Sequence, residues 1–390
     1  MEQDITRYVF DIIENIKNNG NKAVIGYVKQ FDGITFKNIN DAKVSVKKFA
    51  LAAKNVDAEF KRAVISSYKN ILNFHKKEYQ NIKKSWFISD KYKKVGQIYN
   101  PINSVGVYVP GGKFSYPSSV LMNVIPAAVA GVKRIVLFTP PKKMTDEVLF
   151  AASLCNIKEV YSIGGPVAVA TLAYGTEIIK PVDMIVGPGN AYVNEAKRLV
   201  YGKVGIDSLA GPSEVAIIAD SKANTDYIYY DLMAQAEHDK MAKAYLFCPS
   251  KTIINKLKNR IEKQYLQQII FFNVNLQQAI KKVNEIAPEH LEILTEKAED
   301  IVKNIKNAGA IFVGYNTPTA LGDYWAGPSH VLPTNSSAKY SSGLSVMTFL
   351  KRSSYIEVKK LDKEIQKNIA YFAAKEGLEN HKKSVEIRGY

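Results

Sequence analysis

The sequence contains only two cysteines in 390 residues, Cys155 and Cys248. Both lie in apolar surroundings with no second thiol nearby, so neither a disulfide framework nor a thiolate zinc cluster can be built from them. No run spans a membrane, because the most apolar stretch, about 120–132, is short and contains Asn123 and Pro126. The acidic N-terminus does not resemble a secretory signal. These absences favour a protein of the reducing cytoplasm with no membrane partner.

Long runs of like charge are absent as well. The formal net charge is +16, from 53 lysines and arginines against 37 acidic residues, and such a balance raises nucleic acid as a partner. The basic residues nevertheless come as scattered pairs, such as Lys76 with Lys77, and no block of five or more like charges occurs. A solvated lysine-rich surface explains the same composition, so we expect no nucleic-acid partner.

The pattern of apolar residues changes after about ninety residues. A length of 390 residues with 46% hydrophobic content predicts more than one domain. Apolar residues recur at helical spacing over 5–16 and over about 57–83, and a helical pattern returns over about 361–379. Short β-branched runs separated by helix-length stretches occur at 106–109, 134–138, 159–161, 184–186, 215–218, 244–247, 269–272 and 310–313. This alternation predicts an α/β fold with parallel sheets covered on both faces.

Glycine and proline cluster where these strands are expected to end. The clusters lie at 110–112, 164–166, 187–189 and 211–212. Ligands of open α/β sheets bind at the carboxyl ends of strands, so these turns are candidate binding positions. No Gly-x-Gly-x-x-Gly follows any of the strands, and the turns therefore only suggest a phosphate site.

Four of the five histidines lie in short segments rich in acid, base or ligand residues. Imidazole is the commonest nitrogen ligand of zinc and the usual proton shuttle near neutral pH. In one segment Asn224 is a candidate N-cap, and Gln235 and His238, three residues apart, share one face of the helix that follows. Taken alone, this pair is more simply a polar helix end.

Glu289 and His290 precede a segment, 291–294, that alternates like a strand. Adjacent residues of an extended chain face opposite ways, so a strand-end position would let both side chains reach one pocket. There the glutamate can activate water and the histidine can take a proton from an alcohol. A charge pair on an edge strand is the alternative.

Segment 322–330 brackets Asp323 and His330 with two glycines and a proline, which predicts a loop. Loops on a rigid scaffold concentrate binding groups, although an ordinary surface loop has the same composition. His75 lies on the long early helix beside two lysines, and we expect it to be structural and to face solvent. The residues alone indicate an α/β enzyme with a His/Asp/Gln metal site.

Together and in chain order, these segments resemble the histidinol dehydrogenases from about Ile5 to the C-terminus. The matching motifs are GVYVPGG at 106–112, LMNVIP at 121–126, VGPGNAYV at 186–193, AGPSE at 210–214, QAEHD at 235–239, APEHL at 287–291 and HVLPT at 330–334. Several specific motifs in one order are far stronger evidence than any one of them.

The resemblance implies a zinc-dependent enzyme that oxidises L-histidinol through the aldehyde to L-histidine while two NAD are reduced. It implies one Zn²⁺ per subunit, with ligands Gln235, His238, Asp323 and His381, the last from the partner subunit of a homodimer. His290 would be the base for the alcohol and the hydrated aldehyde, and Glu289 the base that delivers water. The implied substrate contacts are Ser213, Gln235, His238, His290, Asp323, His330, Glu376 and His381, and the implied dinucleotide contacts are Tyr108 and Asn190.

The resemblance also implies two Rossmann-like domains, one inserted in the other, with a helical N-terminal region and a C-terminal arm that crosses to the second subunit. The discontinuous domain would span 1–107 and 215–344, the inserted domain 108–214 and the arm 345–390. The family's glutamine after its Gly-Gly turn is Val167 here, which bears on how the dinucleotide binds. The chain begins where many relatives have completed an N-terminal segment, so we expect a small N-terminal domain to be missing and the dimer contact to be reduced.

Three other functions use the same residues. A relative with the same zinc and base apparatus could oxidise a different small alcohol, although His330 and Glu376 argue for histidinol. A hydrolase is less favoured, because four protein ligands leave zinc no open position for water. A basic α/β protein could instead bind nucleic acid around a structural zinc, with an affinity that falls steeply with salt and no NAD reduction.

Overall fold

The computed structural model describes residues 2–82, 85–111, 115–237 and 239–388. Its helices are α1 Glu2–Asp32, α2 Val46–Asn55, α3 Ala58–Asn81, α4 Pro117–Ala130, α5 Asp146–Leu154, α6 Gly165–Tyr174, α7 Ala191–Val200, α8 Thr225–Ala236, α9 Lys251–Arg260, α10 Leu276–Ile286, α11 Ala298–Val302, α12 Thr319–Tyr324, α13 Lys363–Lys375 and α14 Glu379–Glu386. Short 3-10 helices span Ile39–Ala42, Pro141–Lys143, Ser337–Lys339 and Val346–Phe349. The strands are β1 Trp86–Ser89, β2 Lys93–Pro101, β3 Ser104–Tyr108, β4 Arg134–Thr139, β5 Glu159–Ser162, β6 Met184–Val186, β7 Gly205–Ile206, β8 Glu214–Ala219, β9 Lys243–Phe247, β10 Ile269–Phe272, β11 His290–Leu294, β12 Ala310–Val313 and β13 Leu350–Val358.

The chain folds into two compact units, and each unit is built from two separate segments. Unit 1 comprises Met1–Tyr79 with Ile102–Phe349. Unit 2 comprises Gln80–Pro101 with Leu350–Tyr390. Both parallel sheets of the described chain belong to unit 1.

The first parallel sheet of unit 1 has the strand order β5-β4-β3-β6-β7. Helix α6 contacts strands β3 and β6 on one side and helix α1 on the other. Its sequence, GPVAVATLAY, is apolar almost all round and mostly buried, as expected for a helix covered on both sides. The carboxyl ends of β3 and β6 therefore lie beside each other on a rigid base.

The second parallel sheet has the order β10-β9-β8-β11-β12. Alternate residues of its strands face opposite sides. Ile217 and Leu246 pack under α8 and α9, whereas Ile218 and Phe247 pack under α10 and α11. Strands β8 and β11 are buried on both faces, which explains their apolar runs. Their amino ends are thereby fixed side by side.

Unit 2 contains an antiparallel sheet in the order β1-β2-β13, together with helices α13 and α14, which pack against each other. The sequence predicts helix over the first ninety residues, and this is wrong from Trp86 onward, where β1 begins. The side chains of β13, LKRSSYIEV, are mostly exposed, so no buried face marks it as a strand. A sheet with little buried apolar surface has a weak period-2 signal.

The predicted fold class is confirmed, because both five-stranded sheets of the described chain are parallel and lie among helices. Each β-branched run expected to form a strand does so. The domain boundaries at 107/108, 214/215 and 344/345 stay a prediction, since both sheets fall in unit 1. None of the described helices combines the length and the apolar character needed to cross a bilayer.

A close approach of β3 and β6 predicts different outcomes for two glycine substitutions. Gly187 follows β6 with φ +111°, and a Cβ there would overlap the carbonyl oxygen of Tyr108. Gly202 has φ +99° but open space around its Cβ position. We expect Gly202→Ala, which adds backbone strain alone, to lower the free energy of unfolding by about 1 kcal/mol, and Gly187→Ala by about 3 kcal/mol or more. Equal losses in denaturant unfolding would contradict the close approach.

Candidate active site

Glu289 and His290 stand at the amino end of β11 and are nearly buried, with exposed fractions of 7% and 6%. Glu214 begins the neighbouring strand β8, and its backbone contacts both side chains. Its N–H donates to Glu289 Oε2 at 3.0 Å, and its carbonyl oxygen lies 3.2 Å from His290 Nδ1. Glu289 Oε2 and His290 Nδ1 are 3.7 Å apart. A position at the strand end thus brings the two side chains together.

The contact with Glu214 fixes which nitrogen of His290 carries hydrogen. A carbonyl oxygen only accepts hydrogen bonds, so Nδ1 must be the donor. In the neutral ring Nε2 is then the nitrogen with the lone pair. His290 is therefore held in the tautomer that can take a proton at Nε2.

Burial governs the charge of Glu289. Loss of hydration raises the pKa of its carboxyl to about 8, and the negative charges of Asp323 and Glu214 act in the same direction. Hydrogen bonds from the Glu214 N–H and the Ser213 hydroxyl oppose this rise. Glu289 is therefore a stronger proton acceptor than an ordinary glutamate.

Asp323 lies in the short helix α12, so the prediction of a loop over the whole 322–330 segment is wrong for its first part. The helix begins at Thr319, whose N–H and hydroxyl both donate to a buried carboxylate, that of Glu292, at 2.7 and 2.6 Å. Burial raises the pKa of Asp323 to about 6. His330 Nδ1 lies 4.0 Å from Asp323 Oδ1, so two predicted site residues meet here.

Gln235 lies in the last turn of α8 and is buried, and its Nε2 has no hydrogen-bond partner among the described residues. The oxygen and nitrogen of an amide are interchangeable by a flip of the group. An amide oxygen at that position would suit a cation, which would offset the cost of the unpartnered polar atom. Helix α8 ends at Ala236, and His238 lies outside the described residues.

The other two predicted residues belong to unit 2. Glu376 caps the C-terminus of α13, and His381 lies in α14. Both are exposed. Within the described ranges, no group of three or more His, Cys, Asp or Glu is close enough to hold a metal ion. Of the four predicted zinc ligands, Gln235 is not one of these residue types and His238 lies outside the described residues. Only Asp323 and His381 could therefore belong to such a group.

The residues that the resemblance assigns to the dinucleotide lie at the carboxyl ends of the first sheet. Tyr108 ends β3, and its buried hydroxyl accepts the N–H of Gly165 at 3.1 Å. Burial raises the pKa of this phenol to about 12. Asn190 is exposed and caps α7 by accepting the N–H of Val193 at 3.1 Å. In this structure both side chains support turns.

A buried ion pair holds the turn that carries Asn190. Lys197, 1% exposed, contacts Asp207 and donates to the carbonyl oxygen of Gly187 at 3.1 Å. Asp207 accepts the N–H of Gly187 at 2.7 Å. Sequence reasoning missed this pair, because a lysine on an amphipathic helix is normally solvated. Val167, which replaces the family's glutamine, is buried in the core.

His75 is fully buried on α3, so the prediction that it faces solvent is wrong. Its Nδ1 lies 2.8 Å from Glu78 Oε2, which also accepts the N–H of Val346 at 3.1 Å. The face of α3 that carries His75 therefore packs against the rest of unit 1, whereas Lys76 and Lys77 are exposed. Its structural role is consistent with the prediction.

A family model, two relatives and one crystal structure that are similar to this chain carry the same description. A family model described as histidinol dehydrogenase matches residues 1–389. A histidinol dehydrogenase of Sulfurimonas denitrificans is 42% identical over 402 residues, which cover 98% of this chain and 93% of that protein. One from Bacillus licheniformis is 45% identical over 396 residues, covering 97% and 92%. The crystal structure of histidinol dehydrogenase from Elizabethkingia anophelis matches with a TM-score of 0.90 at 33% identity, covering 98% of this chain and 91% of that one.

Proposed function

The chain belongs to the histidinol dehydrogenase family, and we propose that it oxidises L-histidinol through L-histidinaldehyde to L-histidine with two NAD, the final step of histidine biosynthesis. The observation that carries this proposal is the buried Glu289 and His290 pair, which the backbone of Glu214 fixes. Oxidation of an alcohol to an acid needs a base for the hydroxyl protons and a base that adds water. The pair offers both.

His290 is the base of the first oxidation. Its Nε2 accepts the hydroxyl proton of histidinol while a hydride leaves the carbinol carbon for NAD, which gives the aldehyde and NADH. The Nδ1–H bond to the carbonyl oxygen of Glu214 stabilises the positive ring that forms. The proton then passes from Nε2 to solvent before the second oxidation.

Glu289 is the base of the hydration step. Its carboxylate takes a proton from water as the water oxygen bonds to the aldehyde carbon, and the Glu289 carboxyl then gives that proton to the former carbonyl oxygen, which completes the hydrate and regenerates the carboxylate. His290 then accepts a hydroxyl proton of the hydrate while a second hydride leaves for NAD, and the product is the carboxylic acid. The raised pKa of Glu289 favours proton uptake from water.

We propose that one zinc ion per subunit binds Gln235, His238, Asp323 and His381 of the partner subunit. Two features support this set: the buried amide of Gln235 with an unpartnered polar atom, and the half-buried carboxyl of Asp323, whose pKa is raised in the absence of a cation. When bound, zinc would hold the substrate through its imidazole and amino nitrogens. Ser213, His330 and Glu376 are proposed to complete the substrate contacts.

We propose that unit 2 forms part of a homodimer contact. Tyr371 and Phe372 on α13 are 64% and 68% exposed, and Ile387 after α14 is 80% exposed. Large apolar side chains exposed on one pair of packed helices are typical of a surface that another protein covers. A second copy of the chain would cover them and receive His381, which lies on α14.

We propose that the dinucleotide binds at the carboxyl ends of the first sheet, beside Tyr108 and Asn190, where ligands of open parallel sheets bind. Cytoplasmic location is proposed because Cys155 and Cys248 are both free thiols. We propose no nucleic-acid or membrane partner.

Replacing Glu289 with glutamine is expected to separate the two oxidations. The amide oxygen can still accept the N–H of Glu214, but the base for hydration is lost. We expect NADH formation from supplied histidinaldehyde to slow by about 10²–10⁴-fold and the first NADH from histidinol to change little. Single-turnover absorbance at the NADH band measures both.

Glu285→Gln is the matched control for Glu289→Gln. Glu285 is exposed on α10, so the same substitution there should leave both oxidations nearly unchanged. Equal slowing of the two oxidations by Glu289→Gln would reject the division of roles between Glu289 and His290.

Subunit mixing tests whether the metal site is shared. Gln235→Ala and His381→Ala homodimers should each be inactive, because each lacks a ligand in every site. After exchange, a mixed dimer has one intact site, so random mixing should restore about a quarter of wild-type activity. NADH formation from histidinol measures the recovery.

The control for subunit mixing pairs Gln235→Ala with Asp323→Ala, two ligands that both belong to unit 1. Each site of that mixed dimer lacks one ligand, so no activity should return. Recovery in the control, or none in the test mixture once exchange is shown by mass spectrometry, would contradict the shared site.

A further inference from the structure

Glu292 lies inside strand β11, two residues after His290, and its side chain is fully buried. One carboxyl oxygen, Oε1, accepts the N–H and the hydroxyl of Thr319 at 2.7 and 2.6 Å. These two bonds hold the start of α12 against β11. Oε1 is thus saturated with donors.

The second oxygen of Glu292 has a different environment. No hydrogen-bond donor of the described residues reaches Oε2, which is buried. Glu292 shares a face of β11 with Leu294, which lies in one buried cluster with Leu232 of α8, so Asp231, next to Leu232, is the carboxyl of α8 that meets Glu292. Two carboxyl groups can form a hydrogen bond only when one of them carries a proton. A hydrogen bond between these two carboxyls therefore needs a carboxylic acid on one member of the pair.

The surroundings offer the pair no cation in the described chain. The residues opposite Glu292 on β8 and β12 are the apolar Ile217 and Phe312. Two other titratable groups lie on the same elements: His290, two residues before Glu292 on the same face of β11, and Asp323, one turn beyond Thr319 on α12. Burial and the mutual negative charge raise the pKa of Glu292, and burial raises that of Asp231. The shared proton is therefore retained at neutral pH.

We propose that Asp231 and Glu292 share one proton and that this acid pair positions helices α8 and α12 against strand β11. Asp231 precedes Gln235 by four residues on α8, and Thr319 precedes Asp323 by four residues on α12. Four residues are about one helical turn. The buried side chain of Glu292, on the same strand as His290, thus holds both helices. Its contact on each helix lies one turn from a proposed zinc ligand. The shared proton is inferred from the contacts of Glu292 and Asp231, whereas the effect on zinc affinity rests on the proposed function.

The first test is the pH dependence of unfolding for the full-length, metal-free protein. Glu292→Gln keeps both interactions without the proton, since its amide oxygen can accept from Thr319 and its NH₂ can donate to Asp231. Raised carboxyl pKa values stabilise the fold at low pH, and this stability is lost as pH rises through them. Between the carboxyl pKa of the unfolded chain and the raised pKa of the folded pair, we expect the unfolding equilibrium constant of wild type to rise by about tenfold per pH unit relative to Glu292→Gln; above the raised pKa the difference should stay constant.

Glu285→Gln, the same change at an exposed glutamate on α10, is the matched control and should follow wild type. Asp231→Asn is a second variant that also replaces the proton by an amide, so it should flatten the profile as Glu292→Gln does. Parallel profiles for wild type, Glu292→Gln and Asp231→Asn would overturn the shared proton.

The second test is zinc affinity, measured by competition with a chelator and free of any turnover. Glu292→Leu removes the interactions with Thr319 and Asp231 and should weaken zinc binding by about 10–100-fold. Glu292→Gln keeps both interactions and should bind zinc with near the wild-type affinity. Thr319→Val removes the hydroxyl hydrogen bond to Glu292 and should cause a smaller loss of zinc affinity. It provides the test if Glu292→Leu does not fold. Wild-type affinity in Glu292→Leu or Thr319→Val would overturn the positioning role. Failure of the wild-type protein to bind zinc would contradict the proposed function. The pH dependence of unfolding would still test whether Asp231 and Glu292 share a proton.

Discussion

The proposed active site depends on the backbone of one residue, Glu214, at the amino end of β8. Parallel pairing sets His290 opposite Val215, so the peptide groups of Glu214 face Glu289 and His290. Backbone groups at a strand end are held by the sheet and do not rotate away as side chains do. The spacing of Glu289 and His290 and the tautomer of the imidazole are therefore properties of the sheet.

Buried acidic groups give this site its electrostatic character. Burial raises the pKa of Glu214, Glu289 and Asp323, and no lysine or arginine among the described residues pairs with them at salt-bridge distance. Unpaired buried charge is costly. A bound divalent cation would offset that cost and lower these pKa values. The same carboxyls that make the metal-free site acidic would thus make it a site for zinc.

The apolar runs predicted the two parallel sheets because their strands are buried on both faces, and the segment around Glu289 and His290 was correctly expected to begin a strand. Three contacts carry no signal in the sequence. Glu214 acts through its backbone, Lys197 is buried on an amphipathic helix, and Glu292 holds two helices that are distant along the chain. Each depends on tertiary neighbours, which spacing and composition do not encode. The exposed strands of unit 2 were missed for the related reason that no buried face marks them.

The most direct measurement is the ratio of NADH formed to L-histidinol consumed, with and without a zinc chelator. We expect two NADH for each histidinol, with L-histidine as the product, and loss of both oxidations when zinc is removed. One NADH per histidinol with aldehyde accumulating, turnover that survives metal removal, or no NAD reduction would contradict a two-step, metal-assisted oxidation at the Glu289 and His290 pair.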